Sequence, residues 1–439
     1  MLGNDVRRLK RLAKYVEGFA SAFVRGGQTD SAQRYVRGLL SDAKRKNMEG
    51  MLHRLRDPGQ YQTLQHFITH STWDAGAIWR RLRAQVTERR GFLLVDDTSI
   101  PKQGRESAGV ARQYCGALGK VANCQVVVTT ALRTKRAVWP LGMELFLTED
   151  WCEDEDRRER THVPESLKHR TKIEMAIAQI EVAREAGIDI TCVLADSGYG
   201  DAHVFREAIA NRGLSYAVGV AKTTKVFVGQ PVFTVPKSEP TRRTISRPKL
   251  AAGSPQPMTL DQIAKKAPAK AWQRIVWRTG TKGPLQADFL VLRVTPAHRW
   301  YRNGTSDQVW LICERTLGKD SVRKFYLSNL PAGIAAKKLV AITHERWAIE
   351  QHYRDLKQET ALDHFEGRSY PGLHRHIALT ALAYTFLETE RQRARLKELL
   401  PSIGAIRESV TEMVVVMLFA LGEKFAKRTA QFIRDPPDI

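Results

Sequence analysis

Two short apolar runs, each ended abruptly by an aspartate, constrain this chain more than any other feature. Phe92-Leu93-Leu94-Val95 contains no polar residue and gives way at once to Asp96-Asp97-Thr98. The stretch from Ile190 to Ala195 repeats the pattern and ends at Asp196. Apolar residues in unbroken succession over so few positions mark a strand covered on both faces, and a sheet covered on both faces needs helices on each side. A carboxylate at the end of such a strand is held by a rigid element and opens onto the sheet's edge, where α/β folds place chemistry. An aspartate there can equally form the turn or cap the next helix. For either acid alone both readings stand.

The surrounding pattern extends the fold class. Gln125–Leu132 and Ala137–Leu147 are β-rich, and Ser215–Ala221 reads as another strand. Ile173, Ala176, Ile177, Ile180 and Ala183 share one face of a helix that Gly187 stops. Strands in a run, then strands alternating with helices, predict a mixed α/β sheet over residues 89–221. Residues 1–88 read as helical, with basic side chains that suit DNA contact or simply solvated faces. Residues 222–332 carry Pro and Gly clusters, a basic stretch at 241–249 and short strand-like runs, and read as a β-rich insertion. Helices resume over 333–385 and continue through a C-terminal region, 386–439, whose Pro436-Pro437 predicts a frayed tail.

Charge narrows the partner. The 439 residues hold 70 Lys+Arg against 47 Asp+Glu, a net +23. A field of that sign concentrates polyanions, so nucleic acid is the expected partner. It is the wrong surface for a two-carboxylate glycosidase. The five cysteines (Cys115, Cys124, Cys152, Cys192, Cys313) show no metal-ligand spacing and suit a reduced cytoplasm. The start lacks a signal peptide's apolar core, and the longest apolar run, near Val414 to Leu421, is far below the roughly 20 residues of a membrane helix. A soluble, cytoplasmic, nucleoid-associated protein is the expectation.

A third acid lies on a helix read over 343–357. Steps of four and seven residues nearly complete whole turns, so Arg346, Glu350 and Lys357 share a stripe. Ile342, Ile349, Tyr353 and Leu356 form the apolar stripe beside it, and Gln351, Asp355 and Glu359 take the far side, expected to be solvated. By spacing alone, Arg346–Glu350 could be a plain surface ion pair.

Four blocks in order are recognisable: VDDTSIPKQG, GVARQYCGALGKVANCQV, LADSGYGD and HERWAIEQHYRDLK…HFEGRSYPGLHRH. Together they resemble the DDE transposases of bacterial insertion sequences, in particular the insertion-sequence-701 branch. The resemblance runs from about Tyr35 to His376. It implies a ribonuclease-H-like mixed sheet flanked by helices, with a β-rich insertion before the catalytic Glu. It also implies an Asp, Asp, Glu triad: Asp96, in an Asp-x-Thr pattern with Thr98, then Asp196 and Glu350. Asp97 competes with Asp96 for the first place. Arg346 and Lys357 match the family's helix signature as DNA-contacting cations, whereas Thr343 stands where a tyrosine is usual.

The implied reaction is phosphodiester cleavage at the element's ends and strand transfer into target DNA. Two Mg²⁺ ions would serve it, with Mn²⁺ as a substitute, since hard oxygen ligands suit both the ions and the chemistry. Double-stranded DNA is the implied partner, and paired element ends imply a homodimer. Trp300 and Trp310 could stack a base or belong to strands, and His374 and His376 could touch phosphate or lie on a helix surface. The alternative is a non-catalytic DNA-binding protein derived from such an enzyme.

Overall fold

The two buried-strand patterns become neighbours. The computed structural model describes residues 2–234, 248–280, 283–298, 307–394 and 401–414. The strands begin with β1 (Arg90–Pro101), β2 (Ala111–Cys115), β3 (Lys120–Arg133), β4 (Val138–Phe146), β5 (Asp189–Ala195) and β6 (Tyr216–Val220). The β-rich segment adds β7 (Lys225–Val228), β8 (Phe233–Thr234), β9 (Lys249–Leu250) and β10 (Met258–Thr259). It then continues with β11 (Trp272–Gly280), β12 (Gly283–Pro296), β13 (Val309–Arg315) and β14 (Val322–Ser328).

Twelve of these strands form one sheet. Its order is β10-β7-β12-β13-β14-β6-β5-β1-β3-β2, with β11 on β12 and β4 on β3. Only β1–β5 and β5–β6 run parallel, so the sheet is mixed, as expected. The β-rich segment does not stack apart from the core; β14 pairs with β6 and so lengthens the central sheet. The basic stretch at 241–247, Trp300 and the C-terminal prolines lie outside the described residues.

Helices cover both faces. On one, Ala176, Ile180 and Ala183 of helix Lys172–Glu185 are buried against Val95, Val193 and Val218, with Ile173 and Ile177 packed beside them. On the other, Leu339 and Val340 of helix Ala336–His344 and Ile349 of helix Trp347–Gln358 cover Leu94 and Leu194. Alternate strand residues face opposite sides, so Leu94 and Val95 serve different cores. That is why the first run holds no polar residue and the second admits only Thr191, whose hydroxyl donates to the Gly91 carbonyl at 2.8 Å.

The helices before β1 share a core with the end of the chain. Helix Tyr370–Arg393 is buried around nearly its whole circumference from Gly372 to Leu387, with few breaks. Such a helix requires cover on all sides. Val36, Leu39, Phe67 and Ile78 of the N-terminal helices supply it, together with Met143 and Leu145 of β4. No helix among the described residues is long and apolar enough to cross a membrane.

Candidate active site

Parallel pairing sets the first two acids side by side. In the β1–β5 register Val95 lies opposite Ala195, and the pairing ends there, so Asp96 and Asp196 follow at the same level. One correction concerns β1 itself. It does not end at Asp96 but continues to Pro101, carried forward by β3, with Asp96 opposite Thr129. The carboxyl edge is therefore made by β5 stopping, not by β1.

Asp196 closes its strand as a helix cap. Its carboxylate accepts Gly198 N–H at 2.9 Å in the turn Ser197–Gly200. Asp201, at the end of this turn, accepts Ala221 N–H at 2.7 Å and does not cap the following helix His203–Asn211. Gly200 has to be glycine: a Cβ would sit 2.0 Å from the Gly219 carbonyl oxygen on β6. Arg206, buried beneath the turn, donates to the Gly200 carbonyl. A capping carboxylate spends one oxygen on the backbone and keeps further acceptor capacity.

Asp96 and Asp97 diverge as neighbours on a strand must. The Asp96 carboxylate accepts from Arg346 Nη1 at 2.9 Å. Asp97 instead pairs with Lys172 Nζ at 2.7 Å, at the start of the helix on the opposite face. Burial, then the charge of Asp196, pushes the Asp96 carboxyl up to about 7, against the pull of Arg346. A buried acid beside a second carboxylate binds its proton more tightly unless a cation intervenes.

Glu350 is joined to Asp96 through Arg346. The helix read over 343–357 is broken at Glu345–Arg346, between Ala336–His344 and Trp347–Gln358. Arg346 is the residue at that junction. Its Nη2 donates to Glu350 Oε1 at 3.1 Å while Nη1 holds Asp96, so one guanidinium bridges the first and third acids. Glu350 is half-exposed, at 54% of its side chain. Among the described residues no three His, Cys, Asp or Glu side chains stand together as a metal-holding group. The donors present are hard carboxylate oxygens, which fit a hard divalent cation rather than a softer ion.

Lys357 is placed differently from a free phosphate contact. Its Nζ donates to the Ser99 carbonyl at 3.0 Å, tying the Glu350 helix to β1 beyond Asp96. Asp355 and Glu359 are only partly solvated: burial raises Asp355 to about 6, and Glu359 accepts from Arg407 at 2.5 Å. His376 is fully buried between Tyr35 Oη at 2.8 Å and the Ala361 carbonyl at 3.0 Å, and His374 has its Nε2 buried. Neither is a surface histidine. Trp310 is a strand aromatic, its Nε1 donating to the Pro331 carbonyl at 3.2 Å.

Two tyrosines missed by sequence reasoning line the site. Tyr353 Oη and Thr129 Oγ1 share a hydrogen bond of 2.5 Å, and Thr129 donates to the Asp96 carbonyl at 3.3 Å. Tyr199 is buried with no hydrogen-bond partner for its hydroxyl among the described residues, and Asp97, Asp96 and Asp196 all raise its pKa after burial. The position of Tyr199 directly after an Asp196-Ser-Gly turn was the available signal.

A family model described as "DDE superfamily endonuclease" matches residues 18–284, more than half of the chain. The chain belongs to this family. The span that identifies it as a DDE endonuclease includes Asp96 and Asp196 and stops before Glu350. The chain is also similar to the probable transposase for insertion sequence element IS701 of Microchaete diplosiphon, at 32% identity over 189 residues. That alignment covers 42% of this chain and 46% of the relative, about half of its length.

With Asp96 raised, the stability of this DDE endonuclease is expected to depend on pH. A carboxyl moved from 3.8 to about 7 favours folding when protonated, and ionising it in the folded state costs stability. The cost is absent below about pH 4, grows between pH 4 and 7, and is complete above that range. Asp96→Asn is expected to raise Tm at pH 8 and to lose that advantage by pH 4. A Tm difference that stays constant across this range would contradict the burial of a charged Asp96.

Proposed function

We propose that the protein is a DDE transposase, cutting phosphodiester bonds at the ends of an insertion sequence and joining the freed 3′-hydroxyl to target DNA. The observation that carries this is the arrangement of Asp96 and Asp196 after paired residues of adjacent parallel strands, linked to Glu350 through one arginine. The IS701 relative supports the choice of reaction.

In this reading Asp96, Asp196 and Glu350 hold two Mg²⁺ ions, for which Mn²⁺ substitutes. Bound divalent cations supply a lowered pKa for the attacking water and charge stabilisation for the leaving oxygen. The chain's own groups do the remainder. Asp196 is oriented by its cap to Gly198, and Asp96 by the strand and the Asp97 N–H at 2.8 Å. Tyr353 and Thr129 lock the Glu350 helix onto the backbone of Asp96. Arg346 exchanges its two carboxylates for a DNA phosphate, a partner its planar fork also fits. Lys357 supports the strand from which DNA contacts arise. Double-stranded DNA is the substrate, and two element ends imply a homodimer in the working complex at the nucleoid.

A labelled duplex carrying the element end tests this. Strand cleavage to a 3′-hydroxyl is expected with Mg²⁺ or Mn²⁺ and none after chelation. Cleavage that survives chelation defeats the metal assignment. Tight binding without cleavage under any divalent ion selects the non-catalytic DNA-binding alternative.

A further inference from the structure

The block GVARQYCGALGKVANCQV takes no part in the acid site, yet it builds an unusual projection. It forms β2, a turn and the first half of β3. Leu118 N–H donates to the Cys115 carbonyl at 3.0 Å across the turn, and Gly119, at φ +64°, takes the left-handed conformation that closes it. The inner face is anchored, with Cys115, Cys124 and Val126 making a small core of their own. The outer face is open. Tyr114 lies directly opposite Val121, and the two are 65% and 53% exposed. Leu118, at the tip, is 49% exposed.

Single exposed apolar residues need no explanation, but three on one short hairpin at a sheet's edge are a liability unless something covers them. The charge around them points to what that is. Between Pro101 and Cys124 the chain carries Lys102, Arg105, Arg112 and Lys120 against one acid, Glu106. Arg112 and Lys120 are exposed, and their side chains make no hydrogen bond or ion pair among the described residues. Cations flanking an exposed aromatic are complementary to a nucleic-acid backbone and its bases.

The hairpin also stands in the right place. Ser99 Oγ accepts Ala117 N–H at 3.0 Å and the Cys115 thiol at 3.4 Å, fixing the turn to β1. Ser99 lies three residues beyond Asp96, about 10 Å along an extended strand. Its carbonyl holds Lys357 of the Glu350 helix. The loop at Lys102–Gly104 is strapped to the same hairpin, with Asn123 Nδ2 donating to the Lys102 carbonyl at 3.2 Å and to that of Gly104 at 2.6 Å.

We propose that the β2–β3 hairpin is a DNA-gripping finger, seating Tyr114, Leu118 and Val121 on duplex DNA beside the scissile bond while Arg112 and Lys120 hold phosphates. This rests on the transposase reading for the identity of the DNA, but not for the contact itself. Binding of a fluorescent element-end duplex, measured by anisotropy in EDTA against NaCl concentration, tests it without requiring cleavage. The Arg112→Ala/Lys120→Ala protein is expected to bind about 10-fold more weakly at 150 mM NaCl and to flatten the log K against log salt slope by about two, close to one unit per lost phosphate contact. Tyr114→Ala and Leu118→Ala are expected to weaken binding about 10-fold with the slope unchanged, as uncharged apolar contact in a groove predicts. Their melting temperatures should match wild type, because these side chains touch no core.

Wild-type affinity and slope in all of these variants would overturn the proposal. So would a change in sedimentation from dimer to monomer with DNA affinity intact, which would assign the face to a second copy of the chain. A wild-type protein that binds the duplex through this finger yet never cuts it would sink the transposase reading and leave the finger standing.

Discussion

Asp96→Asn and Asp196→Asn are each expected to lower cleavage of an element end by about 10³-fold, the equivalent of several kcal/mol of lost metal-assisted stabilisation. Glu350→Gln should fall in the same range, while DNA binding by all three persists. The informative comparison is the neighbour. Asp97 faces the other side of β1 and is occupied by Lys172 at 2.7 Å, so Asp97→Asn should cleave within a few-fold of wild type. Gel-resolved cleavage rates in Mg²⁺ and Mn²⁺ check this. Loss of activity in Asp97→Asn with survival of Asp96→Asn would exchange their assignments and move the site to the opposite face of the strand.

The largest expected effect on stability belongs to a residue with no part in the chemistry. Arg375, on the buried helix Tyr370–Arg393, fastens the N-terminal helices by gathering their backbone carbonyls. Its guanidinium donates to Ile68 and Thr69 at 2.9 and 3.1 Å, to Trp73 at 3.3 Å, and to Ser71. Helix Tyr61–Thr69 ends there with its carbonyls turned inward, where a lost donor cannot be replaced by water. Arg375→Ala is expected to cost about 3–5 kcal/mol, since several buried acceptors are left unsatisfied at once. Arg375→Lys should recover only part, because a point charge cannot reach four acceptors spread around a planar fork. Urea unfolding monitored by tryptophan fluorescence measures it. A cost within about 0.5 kcal/mol, typical of a surface site, would refute the clasp.

Arg346 connects the two concerns. Sequence spacing assigned it to the same stripe as Glu350, and an i,i+4 relation survives the helix break that spacing did not reveal. What spacing could not show is the second partner, Asp96, 250 residues earlier in the chain. The pair taken alone reads as a surface ion pair. With Asp96 in its other hand the same guanidinium becomes the bridge of the site.

Other residues divide along the same line. Leu93, Leu94 and Val95 announced a doubly covered strand because each had to be apolar, and the acids that follow stood out against that run. The Asp-x-Thr pattern favoured Asp96 over Asp97 but could not show their surroundings: one residue's shift exchanges the faces, and Arg346 and Lys172 arrive at them from opposite sides. His376 looked like a surface histidine because its partner, Tyr35, sits in the N-terminal helices. Glu359 looked solvated because Arg407, which covers it, comes from residues far downstream.

The amino-acid sequence by itself determined the local terms: where strands had to be buried, where turns had to break them, which stripe of a helix could hold Glu350, and that the whole would attract polyanions. Those follow from periodicity, backbone sterics and net charge, which act over a few residues or over the entire surface. The tertiary structure decided which strands pair, that Arg346 bridges Asp96 and Glu350, and which polar groups are buried at all. Such pairings depend on distances between elements remote in the chain, and no short-range pattern encodes them.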